Sequence, residues 1–456
     1  MGIQNFPAAL QPIIQVGFLE QTFQRFLESE LGYRKAAKRE NFKTNIGETL
    51  TKTRPGLKTP VITPLGTSGN TNFDNGLSPS TFSIEQFKLT LNQYGDTIDL
   101  NTVTNRVGIV EQFIHNVEVN ARQAAGSLDR LARNRLFVGY LSGNTRVRVA
   151  LGSPAATISV DDITGFENAL TSNGTPQPVS ASNPLNVTVG SNVYVLTGTA
   201  ADASNVSTVA VAFGNALPVQ PLSGMAPGRS GTLTFSTNVT VADGALLNAV
   251  TMANGATVLR PNARNNTSAL VAGDYFNMSI ALDAVAYLRR NAVPAINGYY
   301  NCHLDPVSSR QLFADPDFKQ LFQGQNAAAE FRMGRVVELL DIRFIPTTEA
   351  PVQVHPVNAT LNVRRPIIVG EGALLEGDFD GMGALDSPQA DSIIDIVDGI
   401  VQVTREPLDR LQQIIAQSWY WIGDFVAPTD YTVNASIVPT ASAAYWKRGV
   451  VIEHQG

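Results

Sequence analysis

The residue types in this 456-residue sequence that could do chemistry are four histidines, one cysteine and a few closely spaced carboxylates. Cys302 and His303 are neighbours, but on a strand adjacent side chains point to opposite faces, so they are poorly placed to share a metal. His115, His355 and His454 stand at no ligand spacing from them or from each other. Gly370-Glu371-Gly372 and Gly381-Met382-Gly383 lack the third glycine of a dinucleotide loop, and no glycine loop ends in Lys-Ser or Lys-Thr to cradle phosphates. Gly228-Arg229-Ser230-Gly231 falls one residue short of a nucleophile elbow. Asp315 with Asp317, and Asp378 with Asp380, sit among Phe, Pro and Gly and read as turn formers before they read as an acid/base pair. The sequence therefore predicts no catalytic residue, no cofactor and no metal, and a protein that is not an enzyme.

What the sequence does advertise is an element. From Asn105 to Phe137, apolar residues fall at Val110, Ile114, Val117, Ala121, Ala124, Leu128 and Leu131, in steps of three and four that draw one stripe down a helix. Glu118, Arg122, Asp129 and Arg133 are expected elsewhere on its surface. At 1.5 Å per residue the helix would run about 50 Å, a spine for the chain. Ile114, Val117, Ala121, Leu128 and Leu131 are its candidate packing residues. Gly126, Asn116 and Asn120 weaken any coiled-coil seam.

Around that helix the composition shifts in blocks. Residues 10 to 40 carry a helical pattern that ends in Arg34, Lys35, Lys38, Arg39 and Lys43, a basic arm facing either a polyanion such as DNA or an acidic neighbour, or else a solvated helix end. From Thr53 to Ser80, four prolines and four glycines predict a long excursion without regular structure. Phe87, Leu89 and Leu91 then alternate with polar residues as a strand that continues to Leu100. Between Leu151 and Ala272 charge nearly vanishes in a background of Val, Thr, Ser and Gly, predicting an inserted all-β barrel or sandwich. Mixed α and β follow: a helix over Ser279 to Asn291, a strand over Tyr299 to Leu304, and a helix opened by Asp305-Pro306. Near the end Trp419, Trp421 and Phe425 stand at period two, favouring a buried strand over a base-stacking platform. The tail beyond is expected at the surface.

A formal net charge of -6 argues against coating nucleic acid with the whole surface, while the low charged fraction of 16% suggests much surface covered by other subunits. A single cysteine excludes an intramolecular disulfide framework and suits a reducing compartment. Neither a secretory signal nor a membrane span is expected.

The order of these parts resembles the major capsid protein of tailed bacteriophages with the Hong Kong 97 type fold. The stretches that carry the resemblance are NQYGDTIDLNTVT, HNVEVNARQAAGSLDRLARNRLF, YYNCHLDPVSSRQLFADPDFKQLF, RRPIIVGEGALLEG and REPLDRLQQIIAQSWYWIGDFV. The resemblance implies an α+β fold with an N-terminal arm (1–60), an extended loop (61–104), a peripheral domain with the spine helix (105–144), an axial domain (273–400) and a return to the peripheral domain (401–456). The β-insertion (145–272) departs from the basic pattern. The resemblance further implies that Phe73, Phe82, Phe87 and Tyr94 of the extended loop bury against a neighbouring copy. The implied function is self-assembly, as hexamers and pentamers, into an icosahedral head shell around double-stranded DNA packaged without sequence specificity. Its partners would be a scaffolding protein, a portal and a decoration protein, with no membrane, and its place the virion after assembly in the bacterial cytoplasm. A nanocompartment shell protein of the same fold, and a β-rich tail adhesin that binds carbohydrate, are the alternatives.

Overall fold

The computed structural model describes residues 32–42, 49–55, 84–101, 112–141, 143–163, 165–170, 176–203, 212–213, 230–252, 255–264, 269–319, 338–355, 358, 360–379, 394–405, 414–428 and 447–456. The predicted spine is present as α1 (Gln112–Leu141), which runs past Phe137 by one further turn. Val117, Ala121, Ala124, Leu128, Ala132 and Leu136 are fully buried along one face. Alanine dominates that stripe, so the helix backbone can lie close to the sheet beneath and leave room there for large rings.

That sheet is organised by its longest strand, Ile414–Val426. One edge pairs antiparallel with Ile400–Arg405, which continues to Ile394–Val397. Asn92–Asn101 pairs antiparallel with the long strand's first ten residues, from Ile414 to Gly423, and Leu374–Phe379 with its last four, from Gly423 to Val426. Alternation sends Trp419, Trp421 and Phe425 to the helix side, 3%, 0% and 2% exposed, as the period-two reading expected. Trp421 stacks on Phe425 at 5.3 Å and on Tyr94 at 5.9 Å. The Trp419 indole N–H donates to Gln123 Oε1 at 3.2 Å, so a buried ring keeps its polar edge satisfied.

Gly95 is required by this pairing. A Cβ there would lie 2.5 Å from the Trp419 carbonyl oxygen and 2.9 Å from Tyr420 Cβ. We expect Gly95→Ala to destabilise the fold by about 1–3 kcal/mol, the usual range for overpacking, read as a lowered urea midpoint. An unchanged midpoint would show that the strand can move aside.

The basic stretch departs from its sequence reading. Ala37–Phe42 is a strand, not a helix end, and pairs parallel with Leu374–Phe379 from residues far along the chain. Thr49–Pro55 and Ile84–Thr90 form an antiparallel ribbon that pairs, among the described residues, with nothing else.

A second core lies under α2 (Met278–Arg290), which covers a six-stranded sheet in the order Val258–Leu259, Gly449–Ile452, Ile367–Val369, Tyr300–Leu304, Ile342–Pro346, Glu338–Leu339. The chain's last segment is thus inside: Val450, Val451 and Ile452 are fully buried, correcting the expectation of a surface tail. Positional convention lost here to an apolar run, Gly449 to Ile452, that fills a gap between two strands. α3 (Pro306–Ala314) begins where Asp305-Pro306 predicted, with the Asp305 carboxylate accepting from the backbone N–H of Val307 and Ser308.

The charge-poor stretch contributes five strands to a six-stranded sheet whose edge strand, Asn144–Arg146, precedes it; the order is Asn144–Arg146, Ala249–Met252, Leu185–Val189, Asn192–Ala201, Gly231–Val239, Ala155–Val160. It has its own apolar cluster, including Val187, Leu196, Leu233 and Phe166.

Candidate functional site

The polar residues that organise this fold cluster where the arm crosses α1. The Asp129 carboxylate, 1% exposed, accepts three backbone N–H bonds at one oxygen: Gly32 at 2.9 Å, Tyr33 at 2.6 Å and Arg34 at 3.1 Å. One turn on, Arg133 is fully buried and donates through Nη1 to the Glu349 carbonyl at 2.9 Å and to its carboxylate at 3.2 Å. Arg130 Nε meets the same carboxylate at 2.9 Å. One helix face therefore grips the arm and the segment after the Ile342–Pro346 strand together. Asp129 and Arg133 were expected on the helix surface, and that expectation is corrected. Their partners lie 95 to 97 and 216 residues away in sequence, beyond any local signal.

Arg34 continues the anchor. Its guanidinium makes two Nε contacts with the Glu376 carboxylate, at 3.0 and 3.1 Å, and a third through Nη2, and it reaches Asp398 at 3.0 Å. Arg34 is 5% and Glu376 2% exposed. Arg34 thus faces neither DNA nor a neighbour but the chain's own interior. Lys35, Lys38 and Arg39 are exposed, Lys38 beside Glu371 and Arg39 against Asp398. Lys43 lies outside the described residues.

Among the other sequence candidates, Tyr94 sits in the strand that pairs with Ile414–Val426, against Trp421 of its own chain. Phe73 and Phe82, and the side chains of Phe87 and Ile114, lie outside the described residues. Leu131 is half-buried against the first core.

The buried histidines are structural in their geometry. The His303 ring stacks on Tyr33 at 4.8 Å, and among the described residues neither ring nitrogen has a hydrogen-bond partner. Cys302, beside it, points into the core under α2. His454 Nε2 lies 2.7 Å from Ser308 Oγ, which also contacts Asp305. This brings Ser, His and Asp together, a grouping that sequence spacing did not reveal. The order is wrong for a nucleophile, however, because the carboxylate bonds the serine while His454 Nδ1 faces the Gln455 carbonyl at 3.0 Å. Both side chains are fully buried, so the cluster caps α3 and pins the chain's end. Among the described residues, no group of three His, Cys, Asp or Glu is placed to hold a metal ion, and no helix is long and apolar enough to cross a membrane.

Burial displaces several of these groups. It lowers His303 to about 3 and His454 to about 4, and raises the Asp129 carboxyl to about 6 against the pull of its three N–H donors and Arg133. A histidine depressed in the fold contributes stability that is whole above its ordinary value of 6.5 and is lost as pH falls towards the folded value. Asp129 acts oppositely: its contribution is whole below 3.8 and lost as pH rises through about 6. Two protons against one make the histidines prevail, so the unfolding temperature should fall between pH 6.5 and 4. His303→Phe, which keeps a ring on Tyr33, should flatten that fall in melts recorded across the range. An equally steep fall in the variant would remove His303 from the account.

No protein-family model matches the chain, and no curated protein does. Among solved structures it is similar to the capsid of Ralstonia phage GP4, with a TM-score of 0.46 and 8% identity over 87% of this chain and 87% of that one. It is also similar to the capsid structure of the cyanophage P-SCSP1u, with a TM-score of 0.44 and 8% identity over 92% and 86% of the two chains. The bacteriophage PhiM1 mature capsid gives a TM-score of 0.43 and 7% identity over 93% and 87%.

Proposed function

We propose that this chain is a shell subunit that self-assembles, as hexamers and pentamers, into the icosahedral head of a tailed bacteriophage around double-stranded DNA. The observation that carries the reading is the ribbon of Thr49–Pro55 and Ile84–Thr90. A two-stranded ribbon is at best marginally stable alone, and this one joins no larger sheet among the described residues. Its root is fixed, because Leu89 is 1% exposed. The other half of its stability comes from a second copy, over which the ribbon lies as part of the extended-loop region. Phe73, Phe82 and Phe87 are its apolar contacts there, and the low charged fraction suits a surface covered repeatedly by neighbours.

The rest of the chain then serves as a rigid platform. α1 on its sheet is the peripheral part, the core under α2 the axial part, and the charge-poor sheet an insertion. Lys35, Lys38 and Arg39 are exposed cations of the arm, Lys38 beside Glu371 and Arg39 against Asp398, and in this reading they form the basic face turned to packaged DNA or to acidic groups of a neighbour. A scaffolding protein, a portal and a decoration protein are the further partners of this reading.

Negative-stain microscopy of the chain expressed with its scaffold tests it. Closed shells of uniform size are expected, and isolated small oligomers under every condition would contradict the reading. Shells that enclose protein cargo and no long DNA would favour a nanocompartment, and elongated trimers an adhesin.

A further inference from the structure

A second feature, independent of assembly, lies where the charge-poor sheet meets the rest of the chain. The end of α1 at Leu141, the strands Asn144–Arg146 and Ala249–Met252, and the segments holding Arg260, Arg365 and Glu453 line a cavity of about 30 Å³. Three guanidinium groups line it. Glu453 accepts from two of them, Arg260 Nε at 2.7 Å and Arg365 Nε at 2.8 Å. The third, Arg146, is 6% exposed and stands 3.9 Å through Nε from Asp161 Oδ2, beyond hydrogen-bond length. Among the described residues, neither of its terminal nitrogens, Nη1 or Nη2, meets a protein acceptor.

A buried arginine with both amino groups unsatisfied is strongly unfavourable unless something else accepts its hydrogen bonds. Burial, first, and then the charge of Arg365 lower Arg146 to about 10, a value that leaves it charged at neutral pH. The cavity exceeds the space one ordered water needs and is of the size of a small ion. It is far too small to admit a polymer.

We propose that this cavity is a binding site for a free, small oxyanion of the phosphate or sulfate class, held by the forked Nη1 and Nη2 of Arg146 with Arg260 and Arg365 around it. Planar guanidinium groups suit such oxygens, which can accept two parallel N–H bonds. The ion would join the charge-poor sheet to the strand-end residues Arg365 and Glu453, and so couple the position of that sheet to the body of the subunit.

The test is thermal unfolding of the full chain with inorganic phosphate or sulfate replacing chloride at constant ionic strength and pH. A saturable rise in unfolding temperature is expected for the wild type, and its loss in Arg146→Met. A non-saturating rise, or the same rise in the variant, would be a general salt effect and would overturn the site. Should Arg146→Met fail to fold, Arg146→Lys keeps the charge without the fork, and its half-saturating phosphate concentration should increase at least tenfold. An unchanged value would overturn the proposal. A short oligodeoxynucleotide at equal phosphate concentration separates the two sources of phosphate. Stabilisation by the oligonucleotide through Arg146, with none from the free ions, would also overturn it.

Discussion

Leu128→Asp is expected to abolish the proposed assembly and to unfold most of the subunit. Leu128 is fully buried midway along the α1 stripe, in one cluster with Val117, Ala121, Ala124, Ala132, Leu136, Trp419 and Trp421. An aspartate there would stand in an apolar cluster and cannot reach water without lifting the helix from the sheet. Burying an unpaired carboxyl group costs several kcal/mol, against a net stability of about 5–15 kcal/mol for a typical domain. Leu128→Ala is the control for lost volume alone, and should cost about 2–5 kcal/mol while leaving the helix in place. Circular dichroism with sedimentation separates the cases: the alanine variant should sediment as assembled shells with a lowered melting temperature, and the aspartate variant as unassembled chain with reduced helicity. Intact shells from Leu128→Asp would mean that the stripe does not face the sheet.

Removing Arg34 is expected to have the next largest effect. Its bonds to Glu376 hold the arm strand Ala37–Phe42 beside Leu374–Phe379, and both side chains are excluded from water. Arg34→Ala leaves Glu376 buried without its cation, a change that typically costs about 3–5 kcal/mol. The asymmetry is testable. Replacing both residues with leucine should restore much of the loss, because the charge that needed a partner is gone as well. A urea series on the two single variants and the pair measures this as a coupling energy. Additive losses would show that Arg34 and Glu376 act separately and that the arm is held by its backbone alone. The partly exposed Asp398 adds a contact to Arg34 but should add little energy, since its side chain is 31% exposed.

These residues also mark how far the sequence could be read. The helix, the strand before it, the aromatic strand and the β-rich stretch all announce themselves through spacing, because each has one apolar face and spacing reports faces. Asp129 and Arg133 defeat that logic: a polar residue on a helix reads as surface unless its partner is known, and Glu349 is far away in sequence. The arm strand has no local signature either. Parallel pairing with Leu374–Phe379 needs a connection through most of the chain, and the lysines and arginines that mark the segment look like a solvated helix end. The buried tail was hidden by its position rather than its composition, since Val450 to Ile452 is an apolar run that a positional rule set aside. Arg146 is the extreme case, an arginine just before the charge-poor stretch whose setting only the fold supplies.

The most direct measurement is a cryo-electron microscopy reconstruction of the assembled product. It should show a closed icosahedral shell of pentamers and hexamers in which α1 lies along the shell and the Thr49–Pro55 and Ile84–Thr90 ribbon rests on an adjacent subunit. A soluble monomer or elongated trimer with that ribbon folded onto its own chain would contradict the account.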